Sequence, residues 1–298
     1  MPDILTGIYT ALVTPFDHDG QLDLSLLPVL IEFQRNAGVD GLVVAGTNGE
    51  GPSLTVPERM RLLEAVLDAC GGLPIIAGTG ATSVRDAVEL TRHASRMGCA
   101  GALVLPPFFF KNASPAGYAA AYEEIAKASD IPVILYSIPQ FSGVEIGPDV
   151  LRALRDAPRV VGVKESSGRI AASRVLLEEF PHLKLFIGSD DLAAELLRAG
   201  AAGIISGTAN AFPELLVGVW RAHRAGAGLD EAQERLNRAI RVLIQYPVVA
   251  NMKAALALRG VADLSVRPPL LPLAHAEKEA LRCGLSDAGL LQANGSRP

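Results

Sequence analysis

The chain has 298 residues, of which 49% are apolar and 20% charged, and carries a formal net charge of −5. This length suits one α/β barrel with an appendage, and the apolar share supports a large buried core. The mild acidity, with no basic block interleaved with aromatics, speaks against nucleic-acid binding, and no apolar run is long and unbroken enough to span a bilayer.

In chain order, the first predicted strand is 8–14. The second, 41–46, runs into Gly46-Thr-Asn-Gly-Glu-Gly. Glycines there let the backbone turn tightly and expose N–H groups, and Thr47 and Asn48 add side-chain donors, a nest suited to a carboxylate. An ordinary Gly-Asn-Gly turn has the same composition. The segment also lacks the Gly-Lys-Ser/Thr ending of a phosphate-binding loop. Thr55 before Pro57 and Glu58 marks the start of an amphipathic helix over 57–70. Strand 74–78 leads to a helix over 83–97, opened by Ser83 with Asp86. Strand 102–105 is followed by Pro106-Pro-Phe-Phe-Phe-Lys and a helix over 115–128.

Val133-Ile-Leu-Tyr supplies strand 133–136, ending on Tyr136. Val160-Val-Gly-Val-Lys supplies strand 160–164, ending on Lys164. Alternation along the latter aims Lys164 inward with Gly162 and away from Val161 and Val163. A buried ammonium is costly, so the pKa of such a lysine should fall and leave free amine for carbonyl attack. The other reading is a lysine at a strand end, paired with Glu165 and facing solvent. Tyr136 ends the neighbouring strand, where its phenol can give and take a proton at the lysine nitrogen. Otherwise it is a tyrosine whose hydroxyl has simply found a hydrogen-bond partner. Strands 184–187 and 203–206 end beside Gly188, Asp190, Asp191 and Ser206. With Ser166 and Ser167, the last three are candidates for contacts to substrate hydroxyls or plain loop and capping residues. The five histidines are dispersed and receive no catalytic role.

Each predicted strand is short, apolar and bounded by Gly, Pro or Asp, as expected of strands buried on both faces. Eight of them alternating with helices predict an α/β fold, a (β/α)8 TIM barrel, with a doubly wound open sheet as the alternative. Closure leaves no edge strand to protect, and reacting groups then belong at the C-terminal strand ends. The pattern turns mainly helical after Phe212, with breaks near 226–228, Pro247 and 267–269. The expected division is a barrel over 1–212 and a C-terminal helical extension over 213–298 packed on it, with 294–298 a loose end. Cys70, Cys99 and Cys283 form neither a metal-ligand spacing nor a disulfide framework, which favours a reducing compartment. The first residues lack the basic start and apolar run of a signal peptide, so a cytoplasmic setting is expected.

Gly46-Thr-Asn-Gly-Glu, Tyr136-Ser-Ile-Pro, Gly162-Val-Lys-Glu-Ser-Ser-Gly, Lys253-Ala-Ala-Leu and Arg267-Pro-Pro-Leu occur in this order. Together they resemble the dihydrodipicolinate synthase/N-acetylneuraminate lyase family of class I pyruvate aldolases, from Gly7 to about Leu273. The resemblance implies a lyase in which Lys164 forms a Schiff base with pyruvate or a pyruvate-containing substrate. Tyr136 would shuttle protons, Thr47 with the Thr47–Asn48 backbone would hold the carboxylate beside Gly46, and the Ile205 backbone would line the methyl side. Ser166, Gly188 and Ser206, at neighbouring strand ends, are further candidates for the substrate pocket. No metal or organic cofactor is implied; the implied partners are pyruvate, a small aldehyde or 2-oxo acid, and three further copies in a homotetramer.

Two positions depart from the synthases of the family. Phe141 stands where they carry an arginine for the second substrate's carboxylate. Phe109 or Phe110 stands where they carry a relay tyrosine that reaches across a subunit interface. Asn48, with Tyr136-Ser-Ile-Pro, is more similar to the 4-hydroxy-2-oxoglutarate aldolase branch, and 2-keto-3-deoxy sugar acid aldolases are close competitors. The expected reaction is cleavage or formation of a 4-hydroxy-2-oxo acid. The alternatives are a dihydrodipicolinate synthase or sugar-acid dehydratase using the same imine, an inactive pyruvate-binding regulator, or a barrel for phosphorylated substrates.

Overall fold

The computed structural model describes residues 5–291, so the loose end expected at 294–298 lies outside the described residues. Eight strands, β1 Gly7–Ala11, β2 Gly41–Val44, β3 Ile75–Gly78, β4 Gly101–Val104, β5 Val133–Ser137, β6 Val160–Glu165, β7 Lys184–Ile187 and β8 Gly203–Ser206, pair in parallel in chain order and close into a barrel. Closure is made by β1 on β8, with Gly7 opposite Gly203 and Thr10 opposite Ser206. The open-sheet alternative is thereby removed. Nearly every strand residue is buried, which is why the runs read as continuously apolar rather than alternating.

The outer layer consists of α1 Leu27–Ala37, α2 Val56–Ala69, α3 Val84–Arg96, α4 Pro115–Lys127, the short α5 Pro139–Ser142 and α6 Pro148–Ala153, α7 Ile170–Glu179, α8 Ala193–Arg198 and α9 Pro213–Ala225. Local chemistry sets their starts. Thr55 accepts from the Glu58 N–H, and the Glu58 carboxylate accepts from the Thr55 N–H, so two of the orphan donors of α2 are satisfied reciprocally. Ser83 and Ser114 cap α3 and α4 in the simpler way. Helix α9 packs on β1, β8 and α1. Beyond it, α10 Leu229–Leu243, α11 Ala250–Leu258 and α12 His275–Asp287 pack on one another and on the barrel's helical layer.

Two cores result. Tyr9, Val43, Ile76, Leu103, Ile134 and Phe186 meet inside the barrel, while Ile8, Leu42, Ile75, Val104, Leu135 and Ile187 face the helices. The side-chain alternation expected in β6 holds at Gly162, Val163 and Lys164 but not at Val161, which packs against the inner cluster. A register shift is the cause. Val133 pairs with Val160 but Ile134 pairs with Gly162, so one extra residue bulges and Val161 turns inward. Strand β2 stops at Val44, short of the expected Gly46, because Ala45 takes a left-handed conformation (φ 56°) that no strand can continue through.

Candidate active site

The C-terminal ends of β2, β5, β6, β7 and β8 converge on one point. Lys164 is 4% exposed and lies in register between Tyr136 of β5 and Phe186 of β7. Its Nζ sits 4.3 Å from the centroid of the Tyr136 ring, a cation–π distance when the amine is protonated. Glu165 points the other way, accepting from the Ser167 N–H at 2.7 Å and the Ser173 hydroxyl at 3.0 Å. The solvent-facing Lys164–Glu165 pair is thus excluded by the pleat that separates successive side chains.

Room for the lysine comes from Gly188 at the end of β7. A Cβ there would collide with the Ser166 hydroxyl and lie 2.9 Å from Lys164 Cε. The Ser166 hydroxyl is buried and has no hydrogen-bond partner among the described residues, an arrangement that leaves a donor and an acceptor for a ligand. Ser206, at the end of β8, donates to the Asp190 carboxylate at 2.7 Å and accepts from the Ala209 N–H. Burial raises the Asp190 pKa, opposed by hydrogen bonds from Ser206 and Thr208 and by the charge of Lys164. Asp191 is exposed and stands apart from this group. Ser167 is only half-buried and accepts from the Arg169 N–H.

From the opposite wall the turn after β2 brings Thr47, whose hydroxyl donates to the Tyr136 phenol at 3.4 Å. Its backbone is closed by Glu50 N–H to Thr47 carbonyl and Gly51 N–H to Gly46 carbonyl bonds. Asn48 faces the end of β8, where a Cβ on Gly207 would come within 2.5 Å of its Nδ2. Ile205 belongs to the inner cluster with Tyr136 and Ile138. The expected residues Gly46, Thr47, Asn48, Tyr136, Lys164, Ser166, Gly188, Ile205 and Ser206 therefore share one end of the barrel.

Sequence reasoning gave no role to the group that fixes this turn. Glu50, held at φ 52°, accepts from Lys253 Nζ at 2.5 Å and from the Arg267 N–H at 2.9 Å. Lys253 and Glu50 side chains are 2% and 1% exposed, and Lys253 also donates to the Ser265 carbonyl at 2.6 Å. Both Nζ of Lys253 and the guanidinium of Arg267 lie over the Phe16 ring. Arg267 continues outward to Glu58. The signal available was a lone lysine within the apolar helix sequence ANMKAALAL and an acid inside a glycine-rich turn. Asn210 is a second such group, accepting from the Val13 N–H and donating to the Ala11 carbonyl.

Phe109 and Phe110 are 74% and 72% exposed and meet edge to face at 5.3 Å. Phe141, 59% exposed, lies beside a cavity that Thr47 also lines. No cluster of potential metal ligands occurs among the described residues, nor any helix there long and apolar enough to cross a membrane.

Residues 4–288 match the model of the dihydrodipicolinate synthetase family. A DapA-like lyase of Chloroflexus aurantiacus, described as uncharacterized, is 38% identical over 284 residues, covering 93% of this chain and 94% of its own. The 4-hydroxy-tetrahydrodipicolinate synthase of Nitrosomonas europaea is 38% identical over 292 residues, covering 96% and 99%. Among solved structures, YagE, a prophage protein of the dihydrodipicolinic acid synthase family from E. coli K12 in complex with pyruvate, superposes with a TM-score of 0.92 at 30% identity, covering 96% of this chain and 99% of its own. The dihydrodipicolinate synthase of Acinetobacter baumannii, complexed with pyruvate, gives 0.91 at 32% identity, covering 96% and 100%. The chain belongs to the dihydrodipicolinate synthetase family and is a carbon–carbon lyase.

Proposed function

We propose that this member of the dihydrodipicolinate synthetase family is a Schiff-base-dependent class I aldolase that cleaves or forms a 4-hydroxy-2-oxo acid through a pyruvate enamine on Lys164. The observation that carries the reading is the buried Lys164 amine over the Tyr136 ring, whose phenol meets the Thr47 hydroxyl. A lysine held out of water beside a proton-transferring phenol is suited to carbonyl attack. Pyruvate as the keto substrate is supported by the pyruvate complexes of two relatives.

In the synthetic direction the Lys164 amine adds to C2 of pyruvate, and the carbinolamine loses water to give a protonated imine. A methyl proton leaves, the enamine carbon attacks the aldehyde carbon, and the aldehyde oxygen takes a proton to become the 4-hydroxyl. Water then hydrolyses the imine and frees the lysine. Tyr136, relayed by Thr47, moves the protons at C2 nitrogen and oxygen. The backbone of Gly46–Asn48 holds the carboxylate, with the Thr47 side chain. Ile205 lines the methyl side, Gly188 leaves space for the reacting lysine, and Ser166 and Ser206 hold the 4-hydroxyl side. No metal or cofactor enters the balance. A homotetramer accompanies this reading, with the exposed Phe109–Phe110 pair as the motivating surface. A cytoplasmic setting is supported by three free thiols.

Borohydride reduction in the presence of pyruvate, followed by intact mass and peptide mapping, tests the reading. A reduced pyruvate adduct on Lys164, absent in Lys164→Ala, is expected. Turnover by Lys164→Ala through an imine would end it. A second reading, 4-hydroxy-tetrahydrodipicolinate synthase, is favoured by the Nitrosomonas europaea relative and is separated by offering aspartate semialdehyde.

A further inference from the structure

Arg59, in the first turn of α2, has no part in the reaction above. It is 7% exposed, and both ends of its guanidinium go to backbone carbonyls: Nη1 donates to Gly80 at 3.0 Å and Nη2 to Gly78. Gly78 is the last residue of β3. A Cβ on it would lie 2.5 Å from the Ala45 carbonyl oxygen and 2.9 Å from the Gly46 nitrogen. Arg59, Ala45, Gly78 and Thr79 also line one small cavity, and Thr79, between the two bonded carbonyls, is tied to the Thr91 hydroxyl at 2.7 Å. The guanidinium thus clamps the strand end against which the Gly46–Asn48 turn begins.

The charge on this clamp has no carboxylate of its own. Burial lowers the Arg59 pKa from 12.5 to about 10, opposed by the charge of Asp86 on α3, so the group stays protonated at neutral pH. Asp86 acts from a distance, since Arg59 makes no ion pair among the described residues. Its Nε is buried there without a hydrogen-bond partner. His93, on the same small cavity, faces Glu64 at 3.2 Å. Buried charges are normally paired. The other cations that reach this turn are committed, Lys253 to Glu50 and Arg267 to Glu58, while Lys164 must be neutral to attack a carbonyl. The turn's own donors, its N–H groups and the Thr47 and Asn48 side chains, carry no net charge. An anion that leaves water for this turn needs compensation, and Arg59 is the buried cation beside it that no carboxylate holds.

We infer that Arg59 is a positioning residue for the substrate carboxylate: it holds the end of β3 against the Gly46–Asn48 turn and gives that turn the positive field its neutral donors lack. The inference rests on the reading above that this turn binds the carboxylate of a 2-oxo acid, and it names the residue that makes the site prefer an anion. Arg59 acts on geometry through the Gly78 and Gly80 carbonyls. On charge it acts through space, across an interior that screens weakly. A unit charge roughly 10 Å from a carboxylate, at an effective dielectric constant of about 20, changes affinity by about tenfold. Arg59→Lys keeps the charge and loses the two-pronged grip; Arg59→Met loses both.

Calorimetric titration of the full chain with pyruvate and with pyruvamide, its neutral amide, tests the inference. Borohydride trapping with pyruvate runs beside it, so binding without trapping ends the imine reading and leaves the comparison of the two ligands standing. The wild type should bind pyruvate more tightly than pyruvamide; equal binding, or binding of neither, would overturn the inference. In Arg59→Met the ratio of the pyruvamide Kd to the pyruvate Kd should fall by about tenfold, since any general loosening of the turn cancels in the ratio. Arg59→Lys should keep the ratio near its wild-type value. An unchanged ratio in Arg59→Met would mean a structural clamp only, and a ratio lost equally in Arg59→Lys would mean that charge is not the cause; either overturns the inference. Asp86→Asn decides the matter should Arg59→Met fail to fold. Withdrawing the carboxylate that offsets Arg59 should raise the ratio by about twofold, and a ratio that stays or falls would overturn the inference as well.

Discussion

Replacing Lys253 by methionine keeps the length of the side chain and removes its charge. The change leaves Glu50 in the interior with the Arg267 N–H at 2.9 Å as its remaining partner. The Ser265 carbonyl loses a 2.6 Å bond as well. Burial, and to a lesser degree the Arg267 charge, lower the Lys253 pKa, and the Glu50 charge and hydrogen bond act against that fall, so each charge is tolerated because of the other. Removing one member of such a buried pair costs about 3–5 kcal/mol, most of it the stranded charge. Removing both charges, as Lys253→Met with Glu50→Gln, strands no charge and should cost clearly less than the sum of the single changes. Urea unfolding followed by circular dichroism reads this as a fall in midpoint at constant slope. The same variant should raise KM for pyruvate more than it lowers kcat, because Glu50 closes the turn that carries Thr47 and Asn48. A loss below about 1 kcal/mol for Lys253→Met, or strict additivity in the double variant, would refute the claim that the pair anchors this turn.

Tyr136→Phe should still trap pyruvate on Lys164 while turnover falls by on the order of 10²-fold or more, the scale of a lost acid–base group; full activity would remove the proton-shuttle role. Gly188→Ala should abolish trapping in a folded protein, because the added methyl enters the space of the Ser166 hydroxyl and Lys164 Cε. Adding Ser166→Gly removes the worst of these contacts and should restore part of it. Glu58 has its pKa lowered from 4.5 to about 2, chiefly by its hydrogen bond to Arg267. The unfolded chain therefore takes up the proton first, so the pair's contribution is complete above about 4.5 and is lost as pH falls toward about 2. Because the pair is near solvent, we expect about 1 kcal/mol rather than the full value of the shift. In Glu58→Gln the acid limb of a stability–pH curve should be flatter over that window; an unchanged limb would count against the Arg267 contact.

Much of this molecule is local. Short apolar runs bounded by Gly, Pro or Asp gave eight strands within a few residues of their observed limits, because strands buried on both faces need apolar residues at every position. Thr55 and Glu58 announced the start of α2 through a three-residue spacing. Lys164 could be placed inside the barrel from the alternation of its own strand. Other features depended on partners far along the chain. Val161 turned inward because β5 and β6 pair with a shift between Val133 and Ile134, and register belongs to two strands at once. Thr47 meets Tyr136 across 89 residues of sequence, and Lys253 meets Glu50 across 203. A lysine in an apolar helix and a glutamate in a glycine-rich turn are each unfavourable alone. Only the closed barrel, with the later helices packed against it, brings the two charges together, and only that meeting makes either position stable.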